Sequence, residues 1–365
     1  MKLICGLRFK LVLLLSFVIL FLSCKKDQNS YGNSGCLYVL GNQADDNKVK
    51  VILRKGDGTI EYYKDFSTGG KGTGAVIGTS SMMTISKDRK WLLVCNPGSD
   101  EISVFRINGS DLVLTSTMPL GFKFPNSVTI HGDIVYVLCR GDEGEIIGMR
   151  LSSDGKLSKI SGGVISIAPK IFPVQISFVN EGKQLLVSDR DQNTLKLFQV
   201  DENGLARELS TLISNSPKPY GFSVGKSGFV YMTEAKYGAV SVYKVSDQEI
   251  ISVMGPLYNY QKAICWSALT HHEKYLYATN ADNSTLSSYT IDANHVLHLM
   301  SPDGFTNVTS KVPIEMVISK DDLYLYVLCY REQSIQVFDL QNNGIPKFKQ
   351  ELKLYETTCN ALSGY

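Results

Sequence analysis

The stretch KYLYATNADNSTLSSYTID, Lys274–Asp292, contains two alternating apolar runs separated by the polar, turn-forming tetrapeptide ADNS. This pattern predicts two antiparallel strands joined by a tight connection. The first run stops at Asn280, a polar residue at the end of an otherwise apolar strand. Runs of the same form recur along the chain, so the stretch predicts one unit of a repeat.

The repeat is seen most clearly by aligning copies of the two runs. The first run ends at Gly41, Asn96, Cys139, Asp189, Glu234, Asn280 and Cys329. The second run carries a large apolar residue at one fixed place: Ile52, Phe105, Met149, Phe198, Tyr243, Tyr289 and Phe338. Successive copies are about 44 to 53 residues apart, a period typical of β-propellers. We therefore predict an all-β, seven-bladed β-propeller of four-stranded antiparallel blades with very little helix, whereas two packed sandwiches would not explain the regular spacing.

Closure of the ring is predicted from the two ends of the repeat. In copies two to seven a further strand precedes the first run, but in the first copy only the polar segment KKDQNSYGNSG does so. The chain ends in TTCNALSGY, which has no later partner. We expect residues 358–364 to supply the innermost strand of the first blade, because this pairing would remove an open sheet edge.

The N-terminus is predicted to lie outside the propeller. Residues 11–22 are apolar and follow three basic residues, and this run is too short for the roughly 20 residues of a spanning helix. The run ends in FLSC, which resembles the lipobox of bacterial lipoproteins. This resemblance implies a signal peptide at 1–23, lipidation of Cys24, a polar tether at 24–35 and a propeller at 36–365. We expect a lipid-anchored protein of the cell envelope, at the outer membrane; the alternative is an ordinary cleaved signal with an incidental cysteine.

Composition limits the classes of function. The chain has 365 residues with 37 Lys and Arg against 35 Asp and Glu, so it lacks the basic excess of a nucleic-acid-binding surface. Neither Walker spacing nor a Cys-x-x-Cys or Cys/His metal pattern is present, and we expect no cofactor and no metal. Several cysteines fall in apolar, strand-like runs, where cysteine acts as a small buried residue. We therefore predict mostly free thiols among Cys36, Cys95, Cys139, Cys265, Cys329 and Cys359, and a disulfide between two of them stays open.

Several stretches resemble one known group of propellers. They are FSTGGKGTGA, LLVCNPGSDEISVFRI, TEAKYGAVSVYKV and AICWSALTHHEKYLYATNADNSTLSSYTID. These sequences resemble those of the lactonase-like seven-bladed propellers, which include bacterial 6-phosphogluconolactonases and fungal carboxymuconate-lactonizing enzymes. The resemblance runs from about Gly35 to Tyr365. It implies a small-molecule lactone or organic acid as partner, and we expect a monomer that does not bind nucleic acid.

Propeller topology predicts where a site would lie. The innermost strand of a blade leaves one face and the second strand returns to it, so that face collects the starts of the first and the ends of the second. The predicted mouth of the central channel is lined by Gln175, Tyr220, Trp266 and Glu315 from inner strands, and by Asn96, Arg140, Asp189, Arg190, Glu234, Asn280 and Arg331 from returning strands or the loops after them.

These residue types suit lactone hydrolysis. Glu234, Glu315 and Asp189 are candidate bases for activating water. Arginines, here Arg140, Arg190 and Arg331, suit a substrate carboxylate or an oxyanion. Gln175, Tyr220, Trp266, Asn96 and Asn280 complete the predicted substrate-binding set.

One departure from the resembled lactonases bears on catalysis. Those enzymes carry a histidine at the start of an inner strand, where this chain has Val174-Gln175, and a glutamate of theirs falls near Glu234 only with a one-residue shift. Three hypotheses therefore stay open. The chain is an exported lactonase-type hydrolase acting on a sugar-acid or related lactone, a non-catalytic propeller lipoprotein that binds a small acid, glycan or protein, or a structural module of an envelope complex.

Overall fold

In a computed structural model of the chain, residues 35–141, 143–167, 172–355 and 358–365 are described. Within these ranges 29 strands form seven antiparallel sheets, named here blades A to G. Blade A contains β1 (Gly35–Leu40), β2 (Lys48–Arg54), β3 (Ile60–Ser67) and β29 (Ala361–Gly364); blade B contains β4 (Met83–Ile85), β5 (Trp91–Asn96), β6 (Glu101–Asn108) and β7 (Asp111–Pro119); blade C contains β8 (Pro125–His131), β9 (Ile134–Cys139), β10 (Glu145–Leu151) and β11 (Leu157–Ser166).

The remaining blades follow in chain order. Blade D contains β12 (Pro173–Val179), β13 (Gln184–Asp189), β14 (Thr194–Val200) and β15 (Ala206–Ile213); blade E contains β16 (Pro219–Val224), β17 (Phe229–Glu234), β18 (Ala239–Val245) and β19 (Ile250–Tyr258); blade F contains β20 (Ile264–Leu269), β21 (Tyr275–Asn280), β22 (Thr285–Ile291), β23 (Leu297–Leu299) and β24 (Asn307–Val308); blade G contains β25 (Pro313–Ile318), β26 (Tyr324–Cys329), β27 (Ser334–Leu340) and β28 (Pro346–Lys353).

The sequence explains why inner and outer strands differ. The second strand of a blade is covered on both faces by neighbouring blades, and every residue of β5 is buried. The sequences of such strands are therefore continuous apolar runs, without alternation of apolar and polar residues. The outermost strand β3 has one buried residue, Ile60, followed mainly by exposed positions. The predicted fold of seven four-stranded blades is confirmed, with one extra two-residue strand, β24, in blade F.

The ring closes as predicted from the two ends of the repeat, with a C-terminal strand in the first blade. Strand β29 pairs antiparallel with β1, in a register that runs from Leu37 opposite Gly364 to Leu40 opposite Ala361. The closing strand is shorter than the predicted 358–364. A contact between the last and first blades also supports closure, because the Tyr326 hydroxyl of blade G donates to the Gly58 carbonyl of blade A over 3.1 Å.

Other expectations about the fold are also met among the described residues. Helical structure is confined to two 3-10 turns, Asn180–Gly182 and Lys226–Gly228. No helix in these parts of the chain has both the length and the apolar character needed to cross a bilayer. All six described cysteines are buried and none forms a disulfide with another described residue, which agrees with the expectation of mostly free thiols. Cys24 and the proposed signal peptide lie outside the described residues.

Candidate functional site

Three of the polar strand ends lie in buried hydrogen-bond clusters between blades rather than at the channel mouth. Each cluster, called here a blade clamp, joins the end of a second strand, a serine seven residues later and the loop that leaves the preceding blade. In the clamp of blades A and B, Asn96 donates to the Ser103 hydroxyl over 2.7 Å. Its oxygen accepts from Asn47 at 2.9 Å and from the Thr68 hydroxyl at 2.7 Å. The expectation that the polar strand end faces the channel is therefore wrong for Asn96.

The same arrangement recurs around Asn280. This residue donates to the Ser287 hydroxyl over 2.9 Å, and its oxygen accepts from Asn259 at 2.9 Å. Asn259 lies on the loop that leaves blade E. Asn280 is fully buried and bound on both sides, so the expectation that it faces the mouth is also wrong, and the geometry favours a structural role over substrate binding.

Glu234 occupies the clamp between blades D and E. Its carboxylate accepts from the Ser241 hydroxyl at 2.7 Å and the Tyr243 hydroxyl at 2.8 Å, and the Tyr243 hydroxyl in turn accepts from the Asn215 backbone N–H at 2.7 Å. Burial raises the pKa of this carboxyl group, while these hydrogen bonds oppose the shift. The side chain has no exposed surface. A catalytic role for Glu234 stays a prediction, and its placement at the mouth was wrong, because its partners lie on β18 and the blade D loop.

The channel itself is crossed by residues 77–81, called here the crossing segment. It lies at the start of blade B and makes hydrogen bonds with five other blades. The bonds join Ile77 N to Asn360 Oδ1, Thr79 Oγ1 to the carbonyls of Asn126 and Val174, Trp266 Nε1 to Thr79 O, and Ser81 N to Glu315 Oε1. The crossing segment therefore ties blades A, C, D, F and G together across the hub.

Two backbone positions let the segment cross. Gly78 and Ser81 both have left-handed backbone conformations, with φ of +65° and +60°. A Cβ atom at position 78 would lie 2.8 Å from the Tyr220 hydroxyl oxygen, so only glycine fits this approach. Ser81 is held in its uncommon conformation by the 2.5 Å bond from its N–H to Glu315.

An arginine pair, Arg140 and Arg190, lies beside the crossing segment together with Phe172. The guanidinium carbons lie 3.9 Å and 3.5 Å from the centre of the Phe172 ring. Arg140 also donates to the Ile77 carbonyl over 3.2 Å, and Arg190 contacts Asp191 at 2.9 Å. Burial lowers the pKa of Arg140 to about 10, and the positive charge of Arg190 acts in the same direction. Two positive charges therefore lie against the same aromatic ring, and a bound anion would stabilise this arrangement.

Two further predicted residues adjoin the arginine pair. Tyr220 is buried, packs edge-on against Trp266 at 5.4 Å, and interacts electrostatically with both arginines. Asp189 accepts backbone N–H bonds from Phe172 at 3.2 Å and Asp191 at 3.0 Å through Oδ1. Its Oδ2 is buried and has no hydrogen-bond partner among the described residues. Burial raises the pKa of this carboxyl group.

Beyond the crossing segment the hub contains a cavity of about 210 Å³. Three more of the predicted residues, Gln175, Trp266 and Glu315, line this cavity. Gln175 bridges inner strands by donating to the Phe222 carbonyl over 3.0 Å and accepting from the Phe222 N–H at 2.8 Å. Glu315 bridges blades G and A in the same way, because Oε2 accepts from the Leu362 N–H at 2.8 Å. Burial raises the pKa of Glu315 to about 7.

The structure thus separates the predicted residues into groups. Arg140, Arg190 and Asp189 meet around Phe172, next to Tyr220, and Gln175, Trp266 and Glu315 line the cavity. Arg331 is exposed and makes no side-chain contact with the arginine pair among the described residues. Sequence reasoning missed Phe172 and the crossing segment. The small-residue run Gly78-Thr79-Ser80-Ser81 was the available signal for a close backbone approach, and one residue separates it from β4, the shortest inner strand among the described blades.

Comparisons with known proteins agree with this architecture. Residues 31–170 match the family model described as lactonase, 7-bladed beta-propeller, a stretch that includes strands β1 to β11. The recognition of a lactonase-like seven-bladed propeller is thereby confirmed. A search of curated protein sequences found no match.

Solved structures resemble the whole ring. A 6-phosphogluconolactonase candidate from Bacteroides fragilis superposes with a TM-score of 0.75 at 17% identity, over 91% of this chain and 98% of that chain. One from Bacteroides uniformis gives 0.76 at 15% identity, over 91% and 99%. The periplasmic gluconolactonase of Pseudomonas aeruginosa gives 0.72 at 16% identity, also over 91% and 99%. At these identities the likeness establishes the fold alone.

Proposed function

We propose that this lactonase-type propeller binds a small organic acid, of the sugar-acid class or its lactone, at the arginine pair on the mouth of the hub. The observation that carries the proposal is the placement of Arg140 and Arg190 at 3.9 Å and 3.5 Å from one aromatic ring. Arg140 has a carbonyl as its only hydrogen-bond acceptor among the described residues, and Arg190 has a partly exposed aspartate. A ligand carboxylate would offer both guanidiniums a stronger, charge-assisted partner.

Calorimetric titration of the purified full-length chain with gluconate tests the proposal. We expect Arg190→Gln to weaken binding about tenfold or more, because a hydrogen bond to a charged group contributes about 1.5–3 kcal/mol and 1.4 kcal/mol is a factor of ten. The matched control is Arg207→Gln, since Arg207 is exposed on the outermost strand β15. Unchanged affinity in Arg190→Gln, or equal losses in both variants, would contradict the assignment.

Hydrolysis of the lactone form is a second candidate function, favoured by one observation at the same place. Asp189 accepts the backbone N–H of Phe172, so its carboxyl group lies directly behind the proposed ligand site. The unpartnered Oδ2 and the raised pKa are features of a group able to take a proton. No described histidine contacts the arginine pair; His271 and His272, for example, bind Asp322.

The hydrolytic hypothesis is tested by following ring opening of glucono-lactone. We expect turnover above the spontaneous rate, and its loss in Asp189→Asn but not in Asp303→Asn, an exposed site far along the chain. If the lactone opens no faster with the wild-type protein than without it, while gluconate still binds, the hydrolytic candidate fails. The proposed binding function would then stand by itself.

We further propose, from the lipobox resemblance alone, that Cys24 carries a lipid anchor that holds the protein at the cell envelope on the outer membrane. Mass spectrometry of the chain expressed with its N-terminus tests this. The expected result is loss of residues 1–23 together with added acyl mass on Cys24, and an unmodified Cys24 would contradict it.

A further inference from the structure

The cavity beyond the crossing segment has walls that differ from those of the mouth. Its lining is contributed by inner strands of blades B, D, E, F, G and A and by the end of the crossing segment. The polar residues that line it are Ser80, Ser81, Thr84, Gln175, Ser267, Glu315 and Ser363. Lysine, arginine and histidine are absent from this lining. The cavity volume of about 210 Å³ has room for a small ion with several waters, because a water occupies about 30 Å³.

Glu315 is the one ionisable side chain in that lining, and it is 6% exposed. Its two oxygens accept N–H groups of Ser81 and Leu362, at 2.5 Å and 2.8 Å, and the Ser80 hydroxyl also interacts with the carboxyl group. These bonds are dipolar and supply no positive charge. No ion pair joins Glu315 to any described cation, so a carboxylate here has no countercharge within the part of the ring that the structure describes. A buried charge of this kind is normally neutralised by a partner.

The hydroxyl groups around the cavity are a second and independent observation. Those of Ser81, Thr84 and Ser363 make no hydrogen bond to a described residue, whereas hydroxyls in the blade clamps are all bonded. The Ser267 hydroxyl pairs with that of Ser223 at 2.9 Å and keeps lone pairs free. The cavity therefore combines one uncompensated carboxylate with several free hydroxyl oxygens, which are the ligands that hard cations prefer.

We propose that the hub cavity binds a small cation, held by Glu315 and the hydroxyl groups of Ser81, Thr84 and Ser363. Both candidate ligands carry a compact positive charge that oxygen atoms can surround. An inorganic ion would be coordinated by these oxygens, and a small primary ammonium would donate hydrogen bonds to them. The site is separate from the arginine pair, from which the crossing segment divides it. By compensating Glu315, the cation would strengthen the place where blade G, the crossing segment and the closing strand β29 meet.

Thermal unfolding of the full-length chain tests the proposal. After chelation, the protein is placed in a buffer whose own cation is too bulky for the cavity, and CaCl₂, NaCl, KCl or ethanolamine hydrochloride is added separately at constant ionic strength. We expect at least one probe to raise Tm saturably, by about 3 °C at a hundred times Kd. A response to a metal salt alone identifies an inorganic ion, and a response to ethanolamine alone identifies an ammonium ligand.

Variants decide whether the response arises in the cavity. Glu315→Gln should abolish the rise, and Thr84→Val, which removes a hydroxyl without a protein partner, should weaken apparent affinity about tenfold while folding normally. Glu181→Gln, at an exposed turn, is the control and should respond as the wild type does. Equal rises in wild type, Glu315→Gln and Thr84→Val would overturn the proposal, as would no rise with any probe. Gluconate binding at the mouth is measured separately, so its failure would leave this result interpretable.

Discussion

Glu234 and Glu315 are both buried glutamates with a raised pKa, but their surroundings differ. Glu234 is surrounded by donors from two segments, β18 and the loop that leaves blade D, and it has no exposed surface. Glu315 accepts two backbone N–H groups, interacts with the Ser80 hydroxyl, and faces a cavity with no positively charged side chain in its lining. The first arrangement is complete within the protein, whereas the second leaves a charge and nearby hydroxyls without partners. Buried polar groups that are fully satisfied favour a structural role, and those left open to a cavity mark a binding site.

The same difference separates the blade clamps from the arginine pair. Asn96 and Asn280 use both ends of their amides within the clamps. Arg140 and Arg190 instead stack on Phe172 with few acceptors nearby. Function is therefore expected along the axis of the hub, and stability is expected from the joints between blades.

The largest expected effect is on the clamp of blades D and E. Glu234→Ala would remove the buried acceptor of the Ser241 and Tyr243 hydroxyl groups. We expect the free energy of unfolding to fall by about 3–5 kcal/mol. Urea unfolding followed by circular dichroism measures this. A loss below about 1 kcal/mol would mean that the clamp is not the structural element described here.

A pH dependence is expected next, from the hub. The pKa of Glu315 is raised from 4.5 to about 7 on folding, so the folded state holds this proton more tightly. The stability that follows is fully present below about pH 4.5 and is lost as pH rises through 7, by about 3 kcal/mol in total. Glu234 and Asp189 shift in the same direction.

The contribution of Glu315 is isolated by comparing wild type with Glu315→Gln in urea unfolding from pH 5 to pH 8, with cations chelated. Wild-type stability should fall more steeply with rising pH than that of the variant. Parallel curves for the two proteins would show that the Glu315 carboxyl group does not change its protonation in this range.

The smallest effects should separate hydroxyl groups with and without protein partners. Ser103→Ala removes a hydroxyl that accepts from Asn96 and donates to the Thr68 carbonyl at 2.7 Å, and it should cost about 1–2 kcal/mol. Ser363→Ala removes a cavity hydroxyl without a protein partner, and the change should be within about 0.5 kcal/mol. Equal costs in chemical denaturation would remove the distinction between the two regions.

Much of the fold followed from the sequence because its causes are local and repeated. The pairing of Lys274–Asp292 as β21 and β22 depends on alternation and a short turn, and the regular spacing then gives the number of blades. Closure by β29 followed from the missing strand in the first copy. These features need no knowledge of which loop contacts which blade.

The site was predicted only in part because side-chain direction depends on distant loops. Asn96 turns into a clamp since Thr68 and Asn47, from the preceding blade, offer it partners. Ser81 has a left-handed backbone conformation where the crossing segment contacts Glu315. A serine does not indicate this conformation in a sequence as a glycine does. Arg140 and Arg190 lie close together because both directly follow the second strand of neighbouring blades.

A crystal structure of the chain with gluconate would test the central claim most directly. The account predicts the ligand carboxylate within about 3 Å of guanidinium nitrogens of both Arg140 and Arg190, the distance of a charge-assisted hydrogen bond. The clamp around Glu234 should be unchanged. Gluconate bound outside the hub, or a clamp opened so that Glu234 contacts the ligand, would contradict the division between structural clamps and a functional hub.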